Sequence, residues 1–301
     1  MNIVDIHAHV IVPGCGAEVS WCDGSQVVTF GGREIHSAVR EFMDVDRILE
    51  EQQNAGVDVV VLCPWVNLLG RHPARQNEAL AELVGERVRA LGTVDIERPD
   101  DLHELMRDGR LDGVEIAASF EGDYLGHERF RDFWAAAEDT DALVFVHPTT
   151  RGFQLPAMDD FYLWNTVGNP FETTITAAHL VGAGVLEDHP GLKIVLAHGG
   201  GAIVALRGRL AHEQTFHPPG RDVVASIRRF HFDTVVHDVA VLRELVEFAG
   251  TDRVLLGSDY PFDMGVDRPA EIVRALGLQP DGEARILGGN AQRLLRQEIP
   301  A

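Results

Sequence analysis

Short apolar runs alternate with longer amphipathic stretches from one end of the chain to the other. The short runs are rich in residues that favour β-strands, and the longer stretches have the spacing of helices that bury one face. This alternation is typical of a parallel sheet whose strands are connected by helices. The predicted strands are 3–10, 57–63, 89–96, 113–117, 143–147, 193–198, 230–235 and 254–259. The predicted helices are 45–55, 74–86, 99–108, 128–138, 171–186, 201–213, 239–249 and 269–276.

Eight repeats of a strand followed by a helix predict a (β/α)8 TIM barrel, an α/β fold whose sites form at the C-terminal ends of the strands. No linker, internal repeat or low-complexity tract divides the chain, so residues 1–301 are expected to form a single domain. Two connections, at about 11–44 and 149–168, are longer than ordinary loops. Both are expected to cover the C-terminal face of the barrel.

Several predicted strands carry metal-type ligands at their C-terminal ends. His7 and His9 flank one residue, and alternate side chains of a strand share a face, so both imidazoles can reach one ion. His147, His198 and Asp259 each end an apolar run. Asp259 alternatively suits the start of a turn, but its place after a buried strand favours a ligand. Imidazoles with one carboxylate match a catalytic Zn²⁺ site, and Mn²⁺, Fe²⁺ or Co²⁺ suit the same ligands.

The composition limits the partners. The 47 acidic and 26 basic residues give a formal net charge of −21, and both nucleic acids and anionic membranes need a basic surface. Neither is expected to bind, whereas a small anionic organic substrate remains compatible with a local group of arginines. The three scattered cysteines favour reduced thiols, and the N-terminus has no basic targeting segment, so a cytoplasmic location is expected.

The chain resembles the amidohydrolase superfamily over nearly its whole length, in the branch typified by α-amino-β-carboxymuconate-ε-semialdehyde decarboxylase. The stretches that carry the resemblance are 5–9, 56–59, 147–148, 198–201, 208–209 and 252–262. The resemblance implies one zinc ion and a water held by His7, His9, His147 and Asp259. It also implies that His198 lies beside the metal as the catalytic acid and base.

The same resemblance suggests how the substrate is bound. Arg33, in the first long connection, would bind a substrate carboxylate, and Arg209 would cross a homodimer interface into the neighbouring site. A solvated arginine is the alternative for each. Phe262 would pack on the substrate ring or simply in the core, with Trp164 and Tyr162 as further candidates. The second long connection departs from the family pattern, so the substrate stays open.

The near absence of lysine favours a single metal. Two-metal amidohydrolases commonly bridge their ions with a carboxylated lysine near the end of the fourth strand, but the only lysine here, Lys193, begins the sixth. Glu115, in the fourth predicted strand, is the remaining candidate for a bridge to a second ion. An ordinary polar strand position is the alternative for this residue.

The predicted function is that of a metal-dependent carboxy-lyase for a small unsaturated or aromatic carboxylic acid. Metal-bound water and His198 would protonate or add to the carbon that loses its carboxylate. The main alternative is a metal-dependent hydrolase of an ester, lactone, amide or carbon–carbon bond, and the arginines favour the lyase. The acidic charge argues against a TatD-like nuclease, and the complete ligand set argues against a barrel without activity.

Overall fold

The computed structural model describes residues 2–12, 15, 17–22, 25–30, 33–37, 43–149, 155–217, 221–296 and 298–299. Its β-strands are β1 (Val4–Val10), β2 (Ala17–Cys22), β3 (Ser25–Phe30), β4 (Arg33–Ser37), β5 (Val59–Pro64), β6 (Val88–Ala90), β7 (Gly113–Ala117), β8 (Ser119–Phe120), β9 (Asp123–Tyr124), β10 (Leu143–His147), β11 (Lys193–Leu196), β12 (His231–Asp233) and β13 (Val254–Leu255). Its α-helices are α1 (Val45–Asn54), α2 (Pro73–Leu83), α3 (Pro99–Asp108), α4 (Arg131–Asp139), α5 (Asn169–Ala183), α6 (Val185–Asp188), α7 (Ile203–Glu213), α8 (Val223–Ile227), α9 (Val239–Ala249), α10 (Pro269–Arg274), α11 (Pro280–Ala284) and α12 (Asn290–Leu294).

Eight of these strands form a closed parallel ring. In one arc β1 pairs with β5, and β5 pairs with β6; in the other arc β7, β10, β11, β12 and β13 pair in that order. Isolated parallel bridges join the arcs, from Gly92 to Val114 and from Ala8 to Tyr260. The order around the ring follows the order along the chain, so the predicted (β/α)8 barrel is confirmed.

Strand β10 shows how the barrel is built and where its site must lie. Leu143 and Phe145 point into the barrel interior, whereas Val144 and Val146 pack between the sheet and the helices, and all four are fully buried. Because side chains alternate along a strand, His147 takes the next inward position at the C-terminal end. The apolar interior below it therefore supports a polar layer at one mouth of the barrel.

A register shift between Asp5 and Ala8 changes which residues of β1 face inward. Ile6 belongs to the interior apolar cluster, while the next residue, His7, also faces the interior and contacts the ring of Phe145 at 4.8 Å between centroids. An irregularity of this kind re-aims a side chain without ending the strand. It lets β1 supply apolar packing at its start and two inward imidazoles, those of His7 and His9, at its end.

The two long connections contain structure that the sequence analysis treated as loop. The first carries the antiparallel sheet β2–β3–β4, and the second carries short helical turns at Pro156–Met158, Asp160–Tyr162 and Trp164–Gly168. The short elements α8, α11 and α12 and the hairpin β8–β9 were also missed, because segments of two to five residues show too little periodicity. The predicted strand 89–96 is shorter and earlier, at Val88–Ala90.

Two further sequence expectations concern the thiols and the membrane. Cys15 and Cys63 are buried free thiols, and the side chain of Cys22 lies outside the described residues. None of the helices in the described ranges combines the length and apolar character that a membrane crossing requires.

Candidate metal centre

The four predicted ligands converge at the C-terminal mouth of the barrel. The Nε2 atoms of His7 and His9 lie 3.0 Å apart, and Asp259 Oδ1 lies 3.1 Å from the first and 3.3 Å from the second. His147 Nε2 lies 4.0 Å from the same oxygen. Donor atoms about 2.1 Å from a tetrahedral ion are roughly 3.4 Å apart, so these side chains fit around one ion.

Each of the three imidazoles has its other nitrogen engaged by an acceptor. His7 Nδ1 lies 2.7 Å from Asp233 Oδ2, His9 Nδ1 lies 3.2 Å from the carbonyl oxygen of Pro64, and His147 Nδ1 lies 2.8 Å from that of Pro148. These acceptors favour the tautomer with hydrogen on Nδ1, which leaves each Nε2 lone pair directed into the cluster. That is the arrangement in which histidine binds a metal.

Two buried atoms of this set are left unsatisfied in a way that fits a cation. Asp259 Oδ1 and His147 Nε2 have no hydrogen-bond partner among the described residues. Buried polar atoms without partners are rare because their desolvation is not repaid. Both atoms face the other ligands, so a divalent metal would satisfy them together.

Burial and charge set the protonation of the centre. Burial lowers the pKa of His147 well below its usual value and also lowers the pKa of His9. Burial acts in the same direction on His7, but the carboxylates of Asp259 and Asp233 outweigh it and raise the pKa of this imidazole. Burial opposes ionisation of Asp259, yet the neighbouring imidazoles of His7 and His198 hold its pKa well below the usual value.

Asp233 contacts the candidate centre and was not identified from the sequence. It ends β12, is fully buried, and accepts hydrogen bonds from the backbone N–H groups of His198 at 3.0 Å and Gly199 at 2.8 Å. It also accepts from the backbone N–H of Val235 and lies against His7 Nδ1. The available signal was a lone carboxylate inside an apolar strand, which needs a partner when buried. Asp233 thus joins a ligand candidate to the turn after β11.

His198 lies on that turn, beside the ligand cluster. Its Nε2 is 3.3 Å from Asp259 Oδ2, and its side chain is 13% exposed whereas those of His7 and His9 are fully buried. Its backbone has a φ of 55°, and Gly199, Gly200 and Gly201 continue with positive φ. A Cβ on Gly201 would lie 2.0 Å from the carbonyl oxygen of Pro170. The glycine run therefore allows the chain to turn tightly against α5.

A cavity of about 220 Å³ opens beside His198 and Asp259. Polar lining comes from Asn165 and Thr166, in the helical turn of the second long connection, and from His237 after β12. This part of the second connection therefore lines the cavity beside His198. The lining residues of the connection had no periodic signal in the sequence. The cavity is the space in which a substrate can approach His198.

The structure places some of the predicted substrate-binding residues beside the centre and others away from it. The ring of Phe262 lies 5.0 Å from that of His9, edge to face, and is half-buried. Trp164 packs at 4.8 Å against Tyr162, whose hydroxyl donates to Asp263 Oδ1 at 3.1 Å. Arg209 is exposed on α7. Arg33 begins β4, but its side chain lies outside the described residues.

Glu115 lies at the edge of the centre, in β7. It is fully buried, its Oε1 is 3.8 Å from His9 Nδ1, and burial raises the pKa of its carboxyl well above the usual value. Among the described residues, two groups of ligand atoms lie within 4.8 Å of one another. They are His7, His147, His198 and Asp259, and His9, Glu115 and His147.

Comparison with known proteins identifies the family of this chain. The model of the amidohydrolase family matches residues 4–297. The chain belongs to this family. It is 27% identical over 327 residues to 2-amino-3-carboxymuconate-6-semialdehyde decarboxylase of Dictyostelium discoideum, an alignment that covers 97% of this chain and 91% of the relative. The predicted superfamily and branch are thereby confirmed.

Solved structures agree with this relationship. The crystal structure of 5-carboxyvanillate decarboxylase from Sphingomonas paucimobilis has a TM-score of 0.76 and 26% sequence identity, covering 85% of this chain and 84% of that chain. The enzyme of the same name from Novosphingobium aromaticivorans was crystallised with manganese and 4-hydroxy-3-methoxy-5-nitrobenzoic acid. It has a TM-score of 0.76 and 20% identity, covers 85% and 81% of the two chains, and shows the shared fold. The prediction of a metal-dependent enzyme of this superfamily is confirmed, and these relatives are decarboxylases, the activity favoured over hydrolysis.

Proposed function

We propose that this chain is a metal-dependent carboxy-lyase that acts on a small unsaturated or aromatic carboxylic acid. The observation that carries the proposal is the convergence of three imidazole Nε2 atoms on Asp259 Oδ1 at the mouth of the barrel. The relatives named above act on a carboxymuconate semialdehyde and on a carboxyvanillate, both small carboxylic acids. They support the lyase over the hydrolase.

In the proposed centre, His7, His9, His147 and Asp259 hold one divalent transition metal. Zn²⁺ suits three imidazoles and a carboxylate, and the neighbour crystallised with manganese supports Mn²⁺ as an alternative. Fe²⁺ and Co²⁺ suit the same donors. When bound, such an ion acts as a Lewis acid toward oxygen atoms.

His198 is the proposed acid and base, and Asp259 its partner. When carbon dioxide leaves, the bond between the carboxylate and its carbon breaks, and the electron pair stays on that carbon. One proton must replace the carboxylate, and His198 is proposed to deliver it because its partly exposed ring borders the cavity. Asp259 Oδ2, 3.3 Å away, is within reach of an N–H on His198 Nε2 and orients the ring.

The proposed substrate contacts follow the same arrangement. Phe262, against the ring of His9, forms an apolar wall for an unsaturated or aromatic group, with Trp164 as a second candidate. Arg33 and Arg209 are proposed to bind carboxylate, which a guanidinium recognises through two hydrogen bonds. Arg209 is exposed on α7. A residue that reaches into the site of a neighbouring subunit must be exposed when one subunit is considered alone. A cytoplasmic homodimer of single-domain subunits completes the proposal.

The experiment is a substrate panel with the metal-loaded protein. Hydroxylated benzoic acids and unsaturated dicarboxylic acids are incubated, and carbon dioxide is measured against the same protein after chelation of its metal. Release that depends on the metal is expected for at least one acid. Esters, lactones and amides of matching size test the alternative, and metal-dependent hydrolysis without carbon dioxide release would replace the lyase by a hydrolase.

A further inference from the structure

Glu115 is a buried carboxylate to which the four-ligand centre gives no role. It pairs in register with Phe145 of β10, two residues before His147, and like Phe145 it faces the barrel interior. It is fully buried, and neither of its carboxylate oxygens has a hydrogen-bond partner within the described ranges. Burying a charged carboxylate in this way is costly unless a cation is bound beside it.

The polar groups that face Glu115 are ligand candidates themselves. Its Oε1 lies 3.8 Å from His9 Nδ1, and the ligand atoms of Glu115, His9 and His147 all lie within 4.8 Å of one another. Donor atoms on opposite sides of an ion are about 4 Å apart when each bond is about 2.1 Å. The separation of these three side chains is close to that value, so one ion can lie among them.

We propose that Glu115 is a fifth protein ligand of the divalent ion held by His9 and His147. The proposal rests on the metal centre proposed above and extends it. His9 and His147 each have Nδ1 engaged by a backbone carbonyl, so each ring offers only Nε2. One ion therefore accounts for both rings and for the carboxylate.

A fifth ligand changes the expected metal. The negative charges of Glu115 and Asp259 together equal the charge of a divalent ion, which favours its burial. Zn²⁺ is well served by four ligands, whereas Mn²⁺ prefers a larger shell that is richer in oxygen. Glu115 should therefore strengthen the binding of Mn²⁺ more than that of Zn²⁺.

The test measures metal binding directly. Protein freed of metal by a chelator is titrated with Mn²⁺ alone, followed by electron paramagnetic resonance, and with Zn²⁺ alone in competition with an indicator. The wild type is expected to bind one ion per chain. Glu115→Gln is expected to lower the affinity for Mn²⁺ by at least about tenfold and the affinity for Zn²⁺ by less. A tenfold loss is the lower end of the range when groups around a bound metal are altered.

Glu172→Gln is the matched control, because it makes the same change at another fully buried glutamate. The oxygens of Glu172 are occupied by the hydroxyls of Ser119 at 2.6 Å and Thr149 at 2.8 Å. This variant is expected to bind both metals like the wild type. Unchanged affinities in folded Glu115→Gln, or two ions per chain in the wild type, would overturn the fifth ligand and leave the proposed function intact. A wild type that binds no ion would overturn both.

A crystal structure of the wild type with Mn²⁺ gives a result that does not depend on the folding of any variant. Anomalous scattering locates the ion, and a Glu115 oxygen within about 2.2 Å of it is expected. An ion that contacts the histidines while a water separates it from Glu115 would refute the proposal.

Discussion

Asp233 Oδ2 lies 2.7 Å from His7 Nδ1, with both side chains fully buried. The same carboxylate accepts the backbone N–H groups of His198 and Gly199. One residue therefore fixes the tautomer of a ligand candidate and holds the turn that carries the proposed acid and base. Partners of this kind orient metal-binding histidines and raise their basicity.

Replacing Asp233 should weaken metal binding without removing a ligand. Asp233→Asn keeps the size of the side chain but removes the negative charge beside His7, and a loss of about 10–100-fold in metal affinity is expected. Competition with a chelator measures it. Asp238→Asn is the control, because Asp238 also accepts backbone N–H groups, at the start of α9, and asparagine caps a helix equally well. Equal affinities in the two variants would contradict the role given to Asp233.

Gly201 should be intolerant of any side chain. Its φ is +64°, and an added Cβ would lie 2.0 Å from the carbonyl oxygen of Pro170. Gly201→Ala is expected to lower the free energy of unfolding by more than about 2 kcal/mol, measured by urea denaturation. Gly208→Ala lies in α7 with nothing within 4 Å of the new Cβ, and a gain of about 0.5–1 kcal/mol is expected. Similar stabilities of the two variants would show that the turn can relax.

His231 should make the fold sensitive to acid. It begins β12, and burial, assisted by the guanidinium of Arg253, lowers its pKa from 6.5 to about 3. Between these values the unfolded chain binds a proton that the folded protein does not, so stability is full above pH 6.5 and falls as the pH decreases. Each decrease of one pH unit in this window lowers the free energy of unfolding by about 1.4 kcal/mol.

His231→Gln should remove this contribution, because glutamine does not titrate. Urea unfolding at pH 7 and pH 5 is the measurement, and the wild type is expected to lose about 2 kcal/mol more than the variant over this interval. His217→Gln, at a side chain that is 75% exposed, should keep the wild-type difference between the two pH values. A variant at position 231 that is as sensitive to acid as the wild type would refute the assignment.

The positions of the proposed metal ligands could be predicted because each is a polar residue near the C-terminal end of a single strand. A polar residue at the end of an apolar run faces the mouth of such a barrel when alternation places it inward, as for His147, whereas His7 and His9 face inward because of the register shift in β1. The contact of Asp233 with His7 could not be predicted in this way, because the two residues are 226 positions apart in the sequence. Only closure of the barrel, which brings β12 and β1 near each other, makes that contact.

The first long connection illustrates a signal that was present but was not used. Ala17, Val19 and Trp21 alternate with polar residues, and Asp23–Gly24 is a pair typical of a hairpin turn. The structure accordingly has β2 and β3 paired in antiparallel register. The cavity residues Asn165 and Thr166 had no such signal, because a helical turn of five residues is too short to show a period in the sequence.

Replacing His198 should lower the rate of decarboxylation without removing the metal, because His198 is the proposed proton carrier and not one of the four proposed ligands. His198→Ala removes the proposed proton carrier but none of the four proposed ligands, so one ion per chain is expected to remain while the rate of decarboxylation falls by about 10²–10⁴-fold. His217→Ala, at an exposed imidazole, should match the wild type in both measurements. Metal analysis and the rate of carbon dioxide release are determined on the same preparations. Loss of the ion in His198→Ala would instead make His198 a ligand, in line with its grouping with His7, His147 and Asp259. Turnover at the wild-type rate would exclude His198 as the acid and base.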